Sequence, residues 1–199
     1  MPQPQNRGWD VDLTLDPGKS ALVVIDLQKG ILGFPSGPRP GTEVLARATS
    51  MARAFRDRGG FVVLTRVTPS ADAKDALHPL TDSPAPGGPP PADFAELDPG
   101  LAALASMTVT KRQWGAFYGT ELDLQLRRRG IDTIVLCGIS TSLGVESTAR
   151  DAFERGYNQV FVEDAMAARE AFEHENTVKT TFPRIGRVRS TADVLAALS

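Results

Sequence analysis

Five short apolar, β-branched runs, separated by stretches of helical periodicity, constrain this chain more than any other feature. They are SALVVIDLQ (20–28), FVVLTRV (61–67), LASMTVTK (104–111), IDTIVLCGI (131–139) and YNQVFVED (157–164). Apolar residues at successive positions predict strands buried on both faces, as parallel sheets require. GRVRS (186–190) reads as a short sixth strand. Helices are predicted between them. The first is TEVLARATSMARAFRDRGG (42–60), with Thr42 as its cap. Its apolar positions Val44, Leu45, Ala48, Met51, Ala52 and Phe55 share one face, and Gly59 and Gly60 stop it. Further helices are read over 119–130, 140–156, 171–182 and 191–199. Strands alternating with helices predict βαβ units, so the fold class is α/β, a mainly parallel sheet with helices on both faces.

The rest of the chain reads as connections. Residues 1–19 form a polar arm that docks on the surface, and GILGFPSGPRPG (30–41) is a loop by its Gly and Pro content. Residues 68–100 are rich in Pro, Gly, Ala and Asp. A loop of that length is uncommon inside a domain and is usually functional or mobile. Neither side of it could make a domain alone, so the 199 residues are expected to form a single domain.

Charge and cysteine usage narrow the function classes. A net charge of −2 argues against a nucleic-acid binder. The basic run Arg127–Arg129 ends a predicted helix, where cations complement the dipole. The single cysteine, Cys137, allows no intrachain disulfide and fits a reducing compartment. There is no signal pattern and no apolar run near membrane-spanning length, so no membrane is expected and the expected location is cytoplasmic. His78 and His174 both lie in polar segments, and a lone histidine after the second strand does not suggest a metal site. No phosphate-cradling glycine pattern is present.

In parallel α/β sheets, ligands bind beyond the carboxyl ends of the strands. Asp26 ends the first strand, Lys111 ends the third, and Gly144 follows the fourth. Three positions distant in sequence therefore fall on one sheet edge. A carboxylate closing an apolar strand is costly to bury unless paired, so Asp26 is either a structural acceptor for loop amides or an acid/base. Lys111 is either a solvated strand-end lysine or a partner that keeps Asp26 ionised. Cys137 sits inside its apolar strand and reads as an inert core thiol.

The segments ALVVIDLQKG (21–30), TVTKRQWGAFYGTELDLQLRRRG (108–130) and IVLCGISTSLGVESTARDAFERGY (134–157) resemble the isochorismatase-like, or cysteine-hydrolase, family. The resemblance runs roughly from Ser20 to Leu198. It implies a three-layer α/β/α sandwich with a six-stranded, Rossmann-like sheet in order 3-2-1-4-5-6. It makes Asp26 and Lys111 catalytic and puts Gly144 at the position of the family's nucleophilic cysteine. With glycine there, no covalent acyl-enzyme can form. Isochorismatases, which hydrolyse a vinyl ether to release pyruvate, also carry glycine at this position and can use the Asp as a general acid with water. After the lysine they resemble WRYSAF where this chain has RQWGAF, and around the glycine GVYAHxG where this chain has GISTSLG. The chain therefore resembles more closely a glycine-bearing branch of the hydrolases. Competing implications are a water-using amidase and a non-catalytic member that binds a small molecule or a protein.

The resemblance also implies backbone amides of Ile139, Ser140 and Thr141 facing the substrate, a non-proline cis peptide near Ile139–Ser140, and structural roles for Glu146 and Asp164. It implies a small-molecule substrate, no cofactor, no metal, and a homodimer or homotetramer, with the arm and residues 84–91 as candidate subunit contacts. The remaining pocket candidates are open readings. Gln28 is a pocket or loop residue. Arg66 binds a substrate carboxylate or makes a surface ion pair. Phe34, Trp114 and Phe117 form an aromatic wall or belong to the core.

Overall fold

The computed structural model describes residues 12–34, 36–83 and 90–198. Its elements in chain order are β1 (Ser20–Ile25), α1 (Lys29–Leu32), α2 (Gly41–Asp57), β2 (Phe61–Val67), α3 (Pro99–Ala102), β3 (Met107–Lys111), α4 (Leu122–Arg128) and β4 (Thr133–Ile139). A π-turn over Thr141–Val145 leads into α5 (Glu146–Glu154). Then come β5 (Asn158–Ala167), α6 (Ala171–Asn176), a second π-turn over Thr177–Thr181, α7 (Phe182–Ile185), β6 (Arg187–Arg189) and α8 (Thr191–Ala197).

The six strands make one sheet in order β3-β2-β1-β4-β5-β6, every described pairing parallel. Successive strand residues point to opposite faces, so each strand feeds two cores. Leu22, Val24, Val62, Leu64, Val135 and Cys137 join Val44, Ala48, Met51 and Phe55 of α2 and Val194 of α8. Ala21, Val23, Ile25, Val63, Val109, Ile134 and Leu136 join Leu122 and Leu126 of α4, Ala149 and Ala152 of α5, and Phe182. Every residue of β1 is buried, as its unbroken apolar run requires.

Element ends differ locally from the sequence reading. α2 starts at Gly41 behind Pro40, and Thr42 makes no capping bond. The loop read over 30–41 contains the single turn α1. The helices read over 140–156 and 171–182 each include a π-turn, a widening that apolar periodicity does not report. In the long loop, residues 90–98 return to the body: Lys29 N–H donates to Glu96 O, Gly30 N–H donates to Phe94 O, and Gln28 bridges Leu97. In the arm, Leu15 is not merely docked; it is buried in the core beside Leu198. Residues 1–11 of the arm and residues 84–89 lie outside the described residues.

Candidate functional site

At the end of β1 the backbone leaves the strand at Asp26, whose φ is 51°. Asp is among the few side chains that tolerate this left-handed region, at a cost of about 1 kcal/mol. The carboxyl group becomes 4% exposed and fully engaged. Lys111 Nζ donates to Oδ2 at 2.6 Å and Thr65 Oγ1 donates to Oδ1 at 2.6 Å. The Asp26 N–H donates to Thr65 Oγ1 at 3.2 Å. Lys111 itself is 1% exposed and donates a second bond to Gln113 O at 3.1 Å. Thr65, Val109 and Lys111 share one sheet face by strand parity, which aims the threonine and the lysine at the same carboxylate.

Burial dominates the proton affinity of Asp26 and raises its pKa above the ordinary carboxylate value. The charge of Lys111, its hydrogen bond and that of Thr65 pull in the opposite direction. The result is a carboxyl that holds a proton more readily than a surface aspartate does, beside a cation that steadies the ionised form.

β4 approaches β1 closely just before this point. Gly138 pairs with Ile25 at φ 119°, and a Cβ there would lie 2.2 Å from Ile25 O, so glycine is required. The Ile139–Ser140 peptide is cis, as the resemblance implied. The chain then enters the π-turn, where Val145 N–H and Leu143 N–H both donate to Ser140 O. This turn brings Gly144 to Asp26. A Cβ on Gly144 would lie 3.5 Å from Asp26 Oδ2, 3.5 Å from Trp114 O and 2.9 Å from Ile25 Cγ2. The site thus contains a buried acid/base, a cation and an adjacent backbone turn, and position 144 offers no side chain to them.

The structure brings Asp26, Lys111, Gly144 and the 139–141 segment together. It puts other candidates elsewhere. Gln28 is fully buried, and its amide clamps the loops: Nε2 donates to Val67 O and Phe94 O, and Oε1 accepts from Val67 N–H. Its hydrogen-bonding capacity goes to tertiary structure instead of a ligand. Arg66 follows Thr65 and points to the opposite face, where Nε donates to Thr110 Oγ1. Phe117 is core, packed on Tyr157. Phe34 and the Trp114 indole are more than half exposed, while the Trp114 carbonyl lies at Gly144. The Thr141 hydroxyl faces His174 Nδ1 at 2.9 Å.

Cys137 is wholly buried and desolvation pushes its thiol pKa up, so it is a core residue. Glu146 accepts from Arg150, Thr177 and Thr181, and Asp164 accepts from Thr191 and Arg47, so both tie elements together. Sequence reasoning missed two residues. Thr65 looks like any strand threonine, and His174 lies in a polar stretch yet is 3% exposed. Among the described residues no group of His, Cys, Asp and Glu side chains is placed to hold a metal ion, and no helix is long and apolar enough to cross a membrane.

Residues 20–193 match the isochorismatase domain family. An uncharacterised isochorismatase family protein of Escherichia coli O157:H7, YecD, is 52% identical over 187 residues, covering 94% of this chain and 100% of the relative. An isochorismatase family protein of Burkholderia thailandensis superposes with a TM-score of 0.86 at 43% identity, covering 94% of this chain and 98% of that one. A ureidoacrylate amidohydrolase of Methylobacterium radiotolerans is 31% identical over 182 residues, covering 77% of this chain and 69% of the relative.

Proposed function

The chain belongs to the isochorismatase family of hydrolases, and from that premise we propose that it hydrolyses a small polar or anionic substrate with Asp26 moving the proton, Lys111 steadying the charge and water attacking. The observation that carries this reading is the missing side chain at Gly144, whose Cβ position lies 3.5 Å from Asp26 Oδ2. A thiol hydrolase needs its nucleophile within reach of its base. Here the only thiol lies in the core, so the carboxyl must act on the substrate or on water.

For a vinyl ether the steps balance without a covalent enzyme intermediate. Protonated Asp26 delivers its proton to the terminal alkene carbon. Water adds to the resulting oxocarbenium carbon and returns a proton to Asp26. The hemiketal then collapses, breaking the C–O bond to give pyruvate and an alcohol. A carboxyl raised by burial suits the first step, because it carries a proton at higher pH than a free aspartate does. The amidohydrolase relative favours a second reading, in which ionised Asp26 activates water against a small amide. The single, buried Cys137 supports a reducing, cytoplasmic setting for either reaction.

The test is turnover of isochorismate, followed by pyruvate release, and of a panel of small amides, followed by ammonia release. The wild type is compared with Asp26→Asn and Lys111→Ala. Pyruvate release reduced about 10³-fold in Asp26→Asn supports the vinyl-ether reading. Ammonia release with the same dependence supports the amidase. No turnover by folded wild type overturns both for these substrates and leaves another substrate or a binding protein. The pH profile separates acid from base. A general acid gives kcat/KM that falls as pH rises through the raised Asp26 value, whereas a general base gives kcat/KM that rises through it.

A further inference from the structure

We propose that His174 is a positioning residue of this site: its ring holds the Thr141 hydroxyl and thereby fixes the turn that sets Gly144 against Asp26. The inference rests on the reading that Asp26 and this turn form the reactive centre. His174 belongs to α6, 33 positions along the chain from Thr141, so the contact joins two elements that share no backbone ladder. The ring is 3% exposed and Thr141 is fully buried. A buried polar contact of this kind is costly to leave unmade, so it specifies a single arrangement of its neighbours.

Beyond the far side of the ring sits Glu163. Nε2 lies 4.0 Å from Glu163 Oε2, and Arg39 Nη2 lies 3.8 Å from the same oxygen. Arg39 Nη1 donates to Glu163 O and Met166 O, in the part of β5 that pairs with the end of β4. Glu163, Arg39 and Glu175 are the charged groups around the imidazole. Burial and the Arg39 charge lower the ring's pKa to about 4, so it is neutral at pH 7. With its proton on Nε2 toward Glu163, Nδ1 accepts from the Thr141 hydroxyl. Arg39 is thus bonded to the sheet edge beside the ring, and the ring is bonded directly to the turn through Thr141.

The turn needs such a strut. It is a π-turn, and the buried Ser140 Oγ just before it has no hydrogen-bond partner among the described residues. Position 144 contributes no side chain that could anchor it. The Thr148 hydroxyl donates to Gly144 O at 2.7 Å and holds the far end of the turn. Thr141 holds its beginning, and small misplacements of reacting groups are expensive in rate.

The experiment compares His174→Leu, His174→Asn and Thr141→Val. Asparagine can put an amide oxygen near the place of Nδ1, while leucine and valine remove the hydrogen bond at similar volume. On isochorismate or the amide that the wild type turns over, kcat falls about tenfold in His174→Leu and in Thr141→Val with KM within about twofold. His174→Asn recovers most of the rate, and the His174→Leu/Thr141→Val double variant is no slower than either single one. Amide hydrogen exchange at residues 141–146 rises about tenfold in His174→Leu and not in His174→Asn. Unchanged kcat and exchange in both Thr141→Val and His174→Leu overturns the proposal, as does a loss confined to KM. If His174→Leu does not fold, Thr141→Val and His174→Asn decide the matter. If the wild type hydrolyses neither probe, the functional reading falls, and the exchange measurement alone confirms or overturns the strut.

Discussion

Two ion pairs, of almost the same chemistry, are placed very differently. Asp26 and Lys111 meet at 2.6 Å with side chains 6% and 1% exposed. Asp164 and Arg47 meet with side chains 16% and 36% exposed, and join β5, α2 and α8. In the second pair water still solvates the guanidinium, and the carboxylate also accepts from Thr191 N–H and Oγ1. That pair fastens elements whose packing is already set by the core. In the first pair both ions have lost their water, so each depends on the other and on Thr65 and Gln113 O. Desolvation costs of several kcal/mol per ion mean that such a pair is poor evidence of stabilisation. Its product is a carboxyl with altered proton affinity next to an open backbone turn.

The largest expected effect breaks the buried pair on one side. Lys111→Met leaves the Asp26 carboxylate buried without its cation and destabilises the fold by about 3–5 kcal/mol at pH 8. Asp26 is already raised above its unfolded value of 3.8, and removing the ammonium raises it further. A carboxyl raised in the folded state binds its proton more tightly there than in the unfolded chain. Its contribution is therefore fully present at low pH and lost as pH rises through the folded value. The deficit of Lys111→Met must shrink between pH 8 and pH 5. Urea denaturation at both pH values reads this, and equal deficits would show that the pair is not as desolvated as its burial indicates.

Removing both charges sharpens the comparison. Asp26→Leu with Lys111→Met replaces the pair by apolar groups in a region already lined by Ile25, Val145 and Ala116. About 1–2 kcal/mol of the Lys111→Met loss should return, because an apolar pair of similar volume carries no desolvation penalty, a gain offset by about 1 kcal/mol of strain for leucine at φ 51°. Turnover stays absent. A double variant as unstable as the single one would mean that the pair also holds the fold together.

The difference between the pairs also explains what the sequence disclosed. Asp26 and Lys111 were legible because each terminates an apolar strand and parallel topology sends strand ends to one edge, whereas Gly144, in the turn after β4, was legible only through the family resemblance. Strand parity also places Arg66: one residue after Thr65, it points to the other face of the sheet. The clamping role of Gln28 was not legible, because nothing local announces that residues 90–98 fold back to take up its amide. Thr65 was invisible, since threonine suits any strand. His174 was hidden by its polar neighbours; only the tertiary path of α6 buries it. The π-turns escaped because an inserted residue keeps a helix-like pattern while shifting its face.

The smaller effects belong to the other pair. Asp164→Ala removes acceptors for Thr191 N–H, Thr191 Oγ1 and Arg47 together, and about 1–2 kcal/mol is expected, measured as a lower urea midpoint with unchanged slope. Arg47→Ala removes only the partly exposed cation, whose Nη2 also bonds Glu43 one turn away on α2. Asp164 keeps its two bonds to Thr191, so no buried group is orphaned. The loss should stay below about 1 kcal/mol and should fade in 1 M salt, where the Debye length is about 3 Å. Neither variant should change turnover, because among the described residues neither side chain bonds to the Asp26 carboxyl or the π-turn. A loss from Arg47→Ala as large as that from Lys111→Met would mean that burial is not what separates the two pairs.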